Sequence, residues 1–292
     1  MIRLWHLIRR ANVYWFVKRS VLLDFKLFSR NEWSLATKYS FVLKKYWLIL
    51  LHATRVRKFR LGKSKVKFNG RNLYYDSPLG LASYQHALVT HEFFVSQSKL
   101  RRDGVIVDVG ANVGVFTMLL AEKLPEARII SFEPVYPVYR CLLENTKYFS
   151  NVEVENTALS NDKGEAFMDF DESNSVVSHI SDRCTGVRVA VDTLDDVLAH
   201  KNVFQIDLLK VDVEMFEKHV LQGATRTLAQ TKYLLMEITM EGNKEYTFAE
   251  LVSLLYSDHY NFQLLALRNY SDVAEGLIPR GDFLFENVLF SD

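Results

Sequence analysis

The chain has 292 residues, 49% of them hydrophobic, and its formal net charge at pH 7 is +1. This length gives room for one large α/β domain plus an extension, and the composition indicates a globular protein rather than a disordered one. The apolar run at residues 46–51 is far shorter than the roughly 20 residues that a bilayer needs, so we expect no spanning helix. Only Cys141 and Cys184 are present, without a disulfide pattern, which favours a reducing, cytoplasmic compartment.

The charge is distributed unevenly along the chain. Residues 1–67 carry 17 Lys and Arg against only Asp24 and Glu32, a net charge of +15, whereas the remainder has a net charge of −14. All four tryptophans lie in this basic segment. We therefore divide the chain into a basic, Trp-rich helical extension, residues 1–64, and a main domain, residues 65–292. Its core, residues 104–292, is preceded by a hairpin and a helix at 65–103.

Three kinds of partner suit the basic extension. An anionic membrane surface attracts Lys and Arg and accommodates Trp at the headgroup level, which would place the protein peripherally at the inner membrane face. The opposite charges of the two segments suit helices packed on the acidic domain, or a contact between subunits, about as well. A docking arm for nucleic acid is the third alternative.

The predicted elements follow from local patterns, beginning with helical pieces over residues 1–54 that break near 29–31. Alternation on both sides of Asn69–Gly70 is typical of a hairpin over 65–75, and residues 84–99 suit a helix. From residue 105 onward strands and helices alternate, which predicts a mostly parallel sheet covered on both faces. The predicted strands are 105–109, 128–132, 152–155, 165–170, 187–191, 206–212, 232–238, 261–267 and 283–290. The predicted helices are 114–124, 137–149, 193–200, 215–229 and 246–258, and the last two strands should form an antiparallel edge hairpin.

The sequence VIVDVGANVGVF at residues 105–116 reads as a buried strand, a glycine turn and the start of a helix. Gly110 and Gly114 permit positive φ and close approach of a ligand, and the first amides of the helix would face the turn. Such a turn after a first strand is typical of a nucleotide-type cofactor site. Asn112 stands where a dinucleotide fingerprint needs its second glycine, so that fingerprint is not met. An Asp two residues before the first glycine is instead typical of class I S-adenosylmethionine enzymes.

A second apolar strand, within ARIISFEP at residues 127–134, ends in Glu133. A carboxylate only accepts hydrogen bonds, so at this position it suits both hydroxyl groups of a ribose. Sites for NAD use the same acid. Glu133 therefore indicates an adenosine-type cofactor without deciding which one.

Six blocks over residues 84–240 resemble the FkbM-type methyltransferases. They read VIVDVGANVGVF, ISFEPVYPVYRCLLEN, NTALSNDKGEA, VAVDTLDDVL, IDLLKVDVEMFEKHVLQGA and LLMEI. The resemblance implies a Rossmann-like class I fold and S-adenosylmethionine-dependent O-methylation of a sugar, glycan or other small-molecule hydroxyl. It also implies cofactor contacts, with the methionine end near Asp108, Gly110, Asn112 and Gly114, the ribose near Glu133, and the adenine near Thr157, Ala158 and Leu159.

The sequence departs from the family pattern at two positions. The block after the fourth strand normally reads Asp-Val-Glu-Gly-x-Glu, but Met215 replaces the glycine while Asp212, Glu214 and Glu217 match. Met215 either narrows the pocket or begins the helix with a better helix former than glycine. The fifth-strand block often ends Glu-Ile-His, and here Thr239 replaces the histidine.

Methyl transfer to an alcohol is assisted by a general base, which must reach the hydroxyl proton directly or through one water. Three acids at the carboxyl ends of strands are candidates: Asp212, Glu214 and Glu237. No spacing of residues demands a metal, so none is predicted. Two other classes of function remain as alternatives: a nucleotide-cofactor oxidoreductase or epimerase, and a non-catalytic protein that binds a cofactor or a nucleic acid.

Overall fold

The structure is a computed structural model that describes part of the chain. The described residues are 21, 24–25, 28, 34–53, 64–68, 71–75, 91, 93–169, 179–180, 186–239, 245–257, 260–271 and 280–290. The turn predicted at Asn69–Gly70 lies outside these residues, as does Cys184. Most of the helix pattern expected over 1–33 and 84–92 is outside them too.

The region before the main sheet contains one long helix and a hairpin. Helix α1 is Leu35–Ala53. Strands β1, Ser64–Phe68, and β2, Arg71–Tyr75, pair antiparallel, which confirms the predicted hairpin. Within the described ranges, none of the helices combines the length and apolarity that crossing a bilayer requires.

The remaining strands and helices alternate along the chain. The strands are β3 (Val105–Val109), β4 (Arg128–Phe132), β5 (Val152–Glu155), β6 (Ala158–Leu159), β7 (Gly164–Asp169), β8 (His179–Ile180), β9 (Val187–Asp192), β10 (Ile206–Val211), β11 (Thr231–Thr239), β12 (Phe262–Ser271) and β13 (Arg280–Asn287). The helices are α2 (Val115–Lys123), α3 (Tyr136–Thr146), α4 (Leu194–His200), α5 (Glu217–Gln222), α6 (Thr225–Ala229) and α7 (Phe248–Leu255), and a 3-10 turn follows at Val288–Phe290.

Seven of these strands form the main sheet, in the order β12-β13-β11-β10-β3-β4-β5. Neighbours from β11 through to β5 are parallel, and the β13 pairs with β11 and β12 are antiparallel, so the expected edge hairpin is confirmed. The chain moves outward from β3 through β4 to β5, then continues on the other side of β3 through β10. The strand order therefore reverses between β3 and β10, and ligands of open α/β sheets bind at the carboxyl ends of strands at such a reversal.

Helices cover both faces of the main sheet, as the alternation predicts. Adjacent residues of a strand point to opposite faces, so Ile106 and Val107 of β3 enter different cores. Val107 packs with apolar side chains of α4, α5, α6 and α7. Ile106 packs with Phe116 of α2 and with Phe94 from the helical residues 93–97. The fold is thus α/β with a mostly parallel sheet between two helical layers.

Two features of the alternation differ from the sequence-based expectation. The strands expected near 165–170 and 187–191 do not join the main sheet, because β7 and β9 pair antiparallel in a second sheet of order β6-β9-β7-β8. The single helix expected over 215–229 is two helices, α5 and α6, separated at Gly223. A Cβ on Gly223 would lie 1.9 Å from the carbonyl oxygen of Ser160, so the chain passes close to another segment at this point.

Asn145 of α3 joins the hairpin to the turn that follows β3. Its side-chain amide donates to the carbonyls of Tyr74 and Val113, both at 2.8 Å, and its Oδ1 accepts from the Tyr74 amide at 2.7 Å. The side chain is buried, so these backbone groups are satisfied by Asn145 in place of water. The hairpin is therefore fixed to the same loop that carries the glycine motif.

Replacing Asn145 by Ala should lower the free energy of unfolding by about 1–3 kcal/mol, because buried backbone groups of Tyr74 and Val113 lose their partners. Urea unfolding measures this change. Glu144→Ala is the matched control, since its carboxylate makes a surface ion pair with Lys147 and should contribute less than about 1 kcal/mol. Equal effects of the two substitutions would contradict the bridging role of Asn145.

Candidate active site at the carboxyl ends of the strands

The turn after β3 is shaped by residues with positive φ. Gly110 has φ 78°, Asn112 has φ 50° and Gly114 has φ 89°. A Cβ on Gly110 would lie 1.9 Å from the carbonyl oxygen of Asp212, so only glycine allows the segment after β10 to approach this closely. The turn and the segment that begins at Asp212 are consequently in direct contact.

The backbone amides of this turn are bonded inside the protein. Those of Gly110 and Ala111 donate to the carbonyl of Phe132, at 3.1 and 2.9 Å. The Val113 amide donates to the side chain of Asn112, and the Gly114 amide to the carbonyl of Ala111. A pyrophosphate needs free amides at such a turn. The Asn112 amide donates to Glu133. All five backbone amides from residue 110 to 114 therefore donate to other groups of the protein.

Glu133 organises the turn from the end of β4. Its Oε2 accepts from the Asn112 amide at 3.1 Å and its Oε1 from the Val135 amide at 2.9 Å. The residue is buried, with 6% of its surface exposed. A carboxylate only accepts hydrogen bonds, so this side chain is of the kind that receives hydroxyl donors of a ligand.

A buried lysine lies where the strand order reverses. Lys210 of β10 is the register partner of Asp108 on β3. Its Nζ lies 3.2 Å from Asp108 Oδ1 and 3.3 Å from Asp212 Oδ2, and it donates to the Gly110 carbonyl at 3.3 Å. Burial disfavours the ammonium, but the charges of Asp108 and Asp212 outweigh this and raise the pKa of Lys210.

Asp108 itself faces the interior. It has no exposed surface, and its second oxygen, Oδ2, accepts a hydrogen bond from the Thr117 hydroxyl at 2.7 Å. The resemblance implies that this residue lines the methionine end of a cofactor. In the structure its carboxylate accepts hydrogen bonds from Lys210 and from Thr117 of α2. We therefore expect Asp108 to hold the turn after β3 in place.

The three acids proposed as bases lie together. One carboxylate oxygen from each of Asp212, Glu214 and Glu237 lies within 4.8 Å of the others, and all three residues are half-buried. Arg280, at the start of the neighbouring β13, pairs with Glu237 at 2.9 Å and with Glu214 at 3.9 Å. Carboxylate oxygens are ligands for hard cations, and the described residues place two positive side chains beside this cluster, the guanidinium of Arg280 and the ammonium of Lys210.

Burial and neighbouring negative charge raise the pKa of two of these carboxyl groups, Glu214 and Glu237. Burial, followed by the charge of Asp212, raises the pKa of Glu214 to about 8. The same two causes, in that order, raise the pKa of Glu237 well above its usual range. Groups that titrate near neutral pH at the edge of a sheet are suited to accept a proton from a substrate.

The segment between β10 and α5 is strained. Glu214 and Met215 are consecutive non-glycine residues with φ of 49° and 74°. Met215 precedes α5, which begins at Glu217, so it does not begin the helix as one interpretation of the sequence supposed. Glu217 fixes this segment, because its Oε1 accepts from the amides of Val213 and Met215 and its Oε2 from the Tyr246 hydroxyl.

The residues expected near an adenine lie in the connection after β5 and in the short β6. Thr157 is half-buried, whereas Ala158 and Leu159 are buried and pair with Val191 and Asp192 of β9. Their side chains belong to the apolar cores. Thr157 is therefore the member of the three whose side chain can contact a ligand here.

A family model described as the methyltransferase FkbM domain matches residues 108–264. The chain belongs to the FkbM methyltransferase family. The match begins at Asp108 and includes Glu133 and the three clustered acids. The strand order of the main sheet and its flanking helices form the class I methyltransferase fold that the sequence predicts.

Individual relatives are distant from this FkbM-family chain and match it in part. AMB antimetabolite synthetase AmbE of Pseudomonas aeruginosa is 28% identical over 53% of this chain, which spans 9% of AmbE. The 31-O-demethyl-FK506 methyltransferase FkbM of Streptomyces tacrolimicus is 25% identical over 43% of this chain and 61% of its own length. The 2-O-methyltransferase NoeI of Sinorhizobium fredii is 26% identical, over 54% of this chain and 72% of NoeI. A crystal structure of methyltransferase FkbM from Methylobacillus flagellatus covers 84% of this chain and 62% of that chain, with 15% identity and a TM-score of 0.44.

Three residues at the site were not singled out from the sequence: Lys210, Tyr246 and Arg280. Lys210 carried a local signal, because a lysine inside the apolar run IDLLKV is unusual for a buried strand. The sequence around Tyr246 and Arg280 gives no such signal, because their carboxylate partners, Glu217 and Glu237, are distant in the sequence.

Replacing Lys210 by Met should lower the free energy of unfolding by about 3–5 kcal/mol, because Asp108 becomes a buried charge without its counter-charge. Urea unfolding measures the loss, and adding Asp108→Asn to the same chain should recover part of it. Lys201→Met is the control, since Lys201 pairs with Glu153 and Glu155 at the surface and should contribute about 1 kcal/mol or less. A loss in Lys210→Met no larger than in Lys201→Met would contradict the role of the buried pair.

Proposed function

We propose that this chain is an S-adenosylmethionine-dependent methyltransferase that methylates a hydroxyl group of a sugar, glycan or other small molecule. The observation that carries the proposal is the glycine turn at residues 110–114, held beside Glu133 at the reversal of the strand order. Membership of the FkbM family supports the same reaction class.

The residues of the turn fit an S-adenosyl group better than a dinucleotide. S-adenosylmethionine has no phosphate, and the five committed amides of the turn offer none of the donors that a pyrophosphate requires. Glu133 presents carboxylate oxygens, which only accept hydrogen bonds and so suit ribose hydroxyls. The cationic sulfonium is attracted by the negative charge of Asp212, whose segment contacts the turn at Gly110.

We assign the cofactor contacts along the edge of the sheet. The backbone carbonyls of Gly110, Asn112 and Gly114 face the ammonium group of the methionine end, Glu133 serves the ribose, and Thr157 serves the adenine from the connection between β5 and β6. Asp108 acts through Lys210 as a positioning residue, and Ala158 and Leu159 support the adenine side from within the core.

Within the acid cluster, Glu214 is the general base that the geometry supports best. Asp212 is paired with Lys210 at 3.3 Å and Glu237 with Arg280 at 2.9 Å, whereas the contact of Glu214 with Arg280 is the longest of the three, at 3.9 Å. A carboxylate that no cation holds closely can turn toward a substrate hydroxyl and take its proton. The positive φ of Glu214 is a strained conformation of the kind that occurs at functional sites.

The reaction needs little from the protein beyond alignment and proton removal. S-adenosylmethionine, when bound, supplies an electrophilic methyl group. The chain orients the acceptor hydroxyl, excludes water from it and takes its proton at the carboxylate of Glu214. The relatives named as 31-O- and 2-O-methyltransferases support oxygen as the acceptor atom.

Transfer of radiolabelled methyl from S-adenosylmethionine tests the reaction and the acceptor atom together. A panel of glycosides, polyols and amines is offered to the full chain, and label is expected on a hydroxyl group. Label on an amine alone would overturn the assignment of an oxygen acceptor.

Glu133→Gln should raise the Kd for S-adenosylhomocysteine by about tenfold or more, because a neutral amide is a poorer acceptor for two ribose hydroxyls. Isothermal titration measures the Kd. Glu165→Gln is the matched control, since Glu165 is an exposed carboxylate of the second sheet that pairs with Arg188. Unchanged affinity in Glu133→Gln would remove Glu133 from the cofactor site.

The rate of methyl transfer should rise with pH toward about 8, because Glu214 accepts a proton only when it is ionised and its pKa is raised to about 8. Glu214→Gln should lower kcat by roughly 10²–10⁴-fold and abolish this rise, with the Kd for S-adenosylhomocysteine unchanged. Glu165→Gln removes an exposed carboxylate from the second sheet and should change neither. A Glu214→Gln enzyme with the wild-type pH profile would exclude Glu214 as the base.

A further inference from the structure

Helix α1 has the reverse of the polarity expected for a helix on a protein surface. Lys38, Phe41 and Lys45 are buried. Four large apolar or aromatic residues face outward, with exposed fractions of 63% for Leu35, 57% for Tyr39, 69% for Leu43 and 60% for Trp47. A surface helix ordinarily directs its apolar side chains to the core and its charges to water. These four residues form what we call the α1 stripe.

The rotation of α1 is fixed by contacts on its inner face. Lys45 Nζ lies 2.5 Å from Asp24 Oδ1, and the neighbouring Tyr46 hydroxyl donates to Asp24 Oδ2 at 2.6 Å. Lys38 donates to the Phe28 carbonyl at 3.1 Å. Phe41 packs in the apolar cluster that contains Tyr75 of the hairpin. Because charged and apolar anchors hold the inner face, the α1 stripe is kept on the outside.

The α1 stripe is continuous along the helix. Its members are spaced four residues apart, so they cover an arc of about 120° and a length of about 18 Å. The other exposed residues among the described side chains of α1 are Ala36 and Ser40. Lys44, which is half-buried and donates to the carbonyl of Lys65, lies beside the α1 stripe. The α1 stripe itself carries no charge, and its apolar surface meets water.

We propose that the α1 stripe docks in the headgroup region of an anionic membrane surface. The segment around it, residues 1–67, has a net charge of +15, which attracts anionic lipid. Trp and Tyr are suited to the boundary between headgroups and acyl chains, and Leu to the acyl side. The long-range attraction thus comes from the basic residues of the segment, and the inserted surface comes from the α1 stripe.

The apolar character of the α1 stripe argues against a nucleic acid as its partner, and the charge of the segment argues against a second copy of the same segment. A nucleic acid is bound through cations, and the four side chains of the α1 stripe supply none, so such a partner leaves this apolar surface in water. A second copy facing the α1 stripe through the same segment would bring one charge of +15 against another. Anionic lipid satisfies both the charge of the segment and the apolarity of the α1 stripe.

Vesicle sedimentation with the full chain tests the proposal. The protein should bind phosphatidylcholine vesicles that contain about one third phosphatidylglycerol, and bind pure phosphatidylcholine at least about tenfold more weakly. About 0.5 M NaCl should weaken the binding, since salt screens the attraction. All four tryptophans lie within residues 1–47, so a blue shift of the intrinsic fluorescence on binding reports this segment alone.

The double variant Leu43→Ser/Trp47→Ser should reduce the partition coefficient by about tenfold or more, because it removes two members of the α1 stripe. The matched control is Phe204→Ser/Leu289→Ser, which removes two equally exposed apolar side chains of the main domain and should leave binding within about twofold. Circular dichroism and the thermal midpoint establish that both variants are folded.

Three results would overturn the proposal. The first is failure of the wild-type chain to sediment with anionic vesicles, and the second is equal binding by the α1-stripe variant. The third is a dimer in analytical ultracentrifugation that the α1-stripe variant abolishes while vesicles leave the wild type unbound, which would make a second copy the partner.

Discussion

The interaction on which the site depends is the buried ammonium of Lys210 between Asp108 and Asp212. It lies where β3 and β10 separate the two halves of the sheet, and its two partners belong to the segments that diverge there. A charge buried at this position is tolerated only because both carboxylates and the Gly110 carbonyl surround it. The turn after β3 and the acids after β10 are thereby held against each other.

The opposite ends of the same two strands are joined in a similar way. Arg101 donates to both oxygens of Asp207, at 2.8 and 3.0 Å, and the Val105 amide donates to Asp207 at 3.0 Å. An ion pair therefore connects the two strands at each end: Arg101 with Asp207 at the amino ends, and Lys210 with Asp108 at the carboxyl ends. A rigid central pair is what a methyl-transfer site requires, because the alignment of acceptor and donor supplies most of the rate.

Patterns among neighbouring residues in the sequence were sufficient to predict most of the strands and helices. The bounds of β3 and β4 agree with the sequence because buried parallel strands are short apolar runs ended by polar or glycine residues. The bounds of β5 agree because its alternating Val and Glu residues are typical of a half-buried strand. The assignment of β7 and β9 to a second sheet was not predictable, because periodicity indicates a strand but not its pairing partner. The break at Gly223 depends on the carbonyl of Ser160, which is remote in sequence.

Site residues were likewise predictable where the signal lies in neighbouring sequence, and not where a distant segment supplies the residue. Glu133 and the glycine turn were found because they end strands, whereas Arg280 comes to Glu237 only through the antiparallel pairing of β11 with β13. The strain at Met215 was visible in the sequence only as a departure from a family pattern, and its positive φ explains why glycine is usual there. The inverted polarity of α1 depends on Asp24 and the hairpin, so its composition alone could not reveal it.

We propose that the turn at residues 110–114, whose backbone amides all donate hydrogen bonds to other groups of the protein, binds an S-adenosyl group and not a dinucleotide. Isothermal titration of the full chain with S-adenosylhomocysteine, with NAD as the parallel ligand, tests it most directly. We predict micromolar affinity for S-adenosylhomocysteine and no measurable heat of binding with NAD. Binding of NAD without binding of S-adenosylhomocysteine would contradict the assignment of the turn, and with it the proposed reaction.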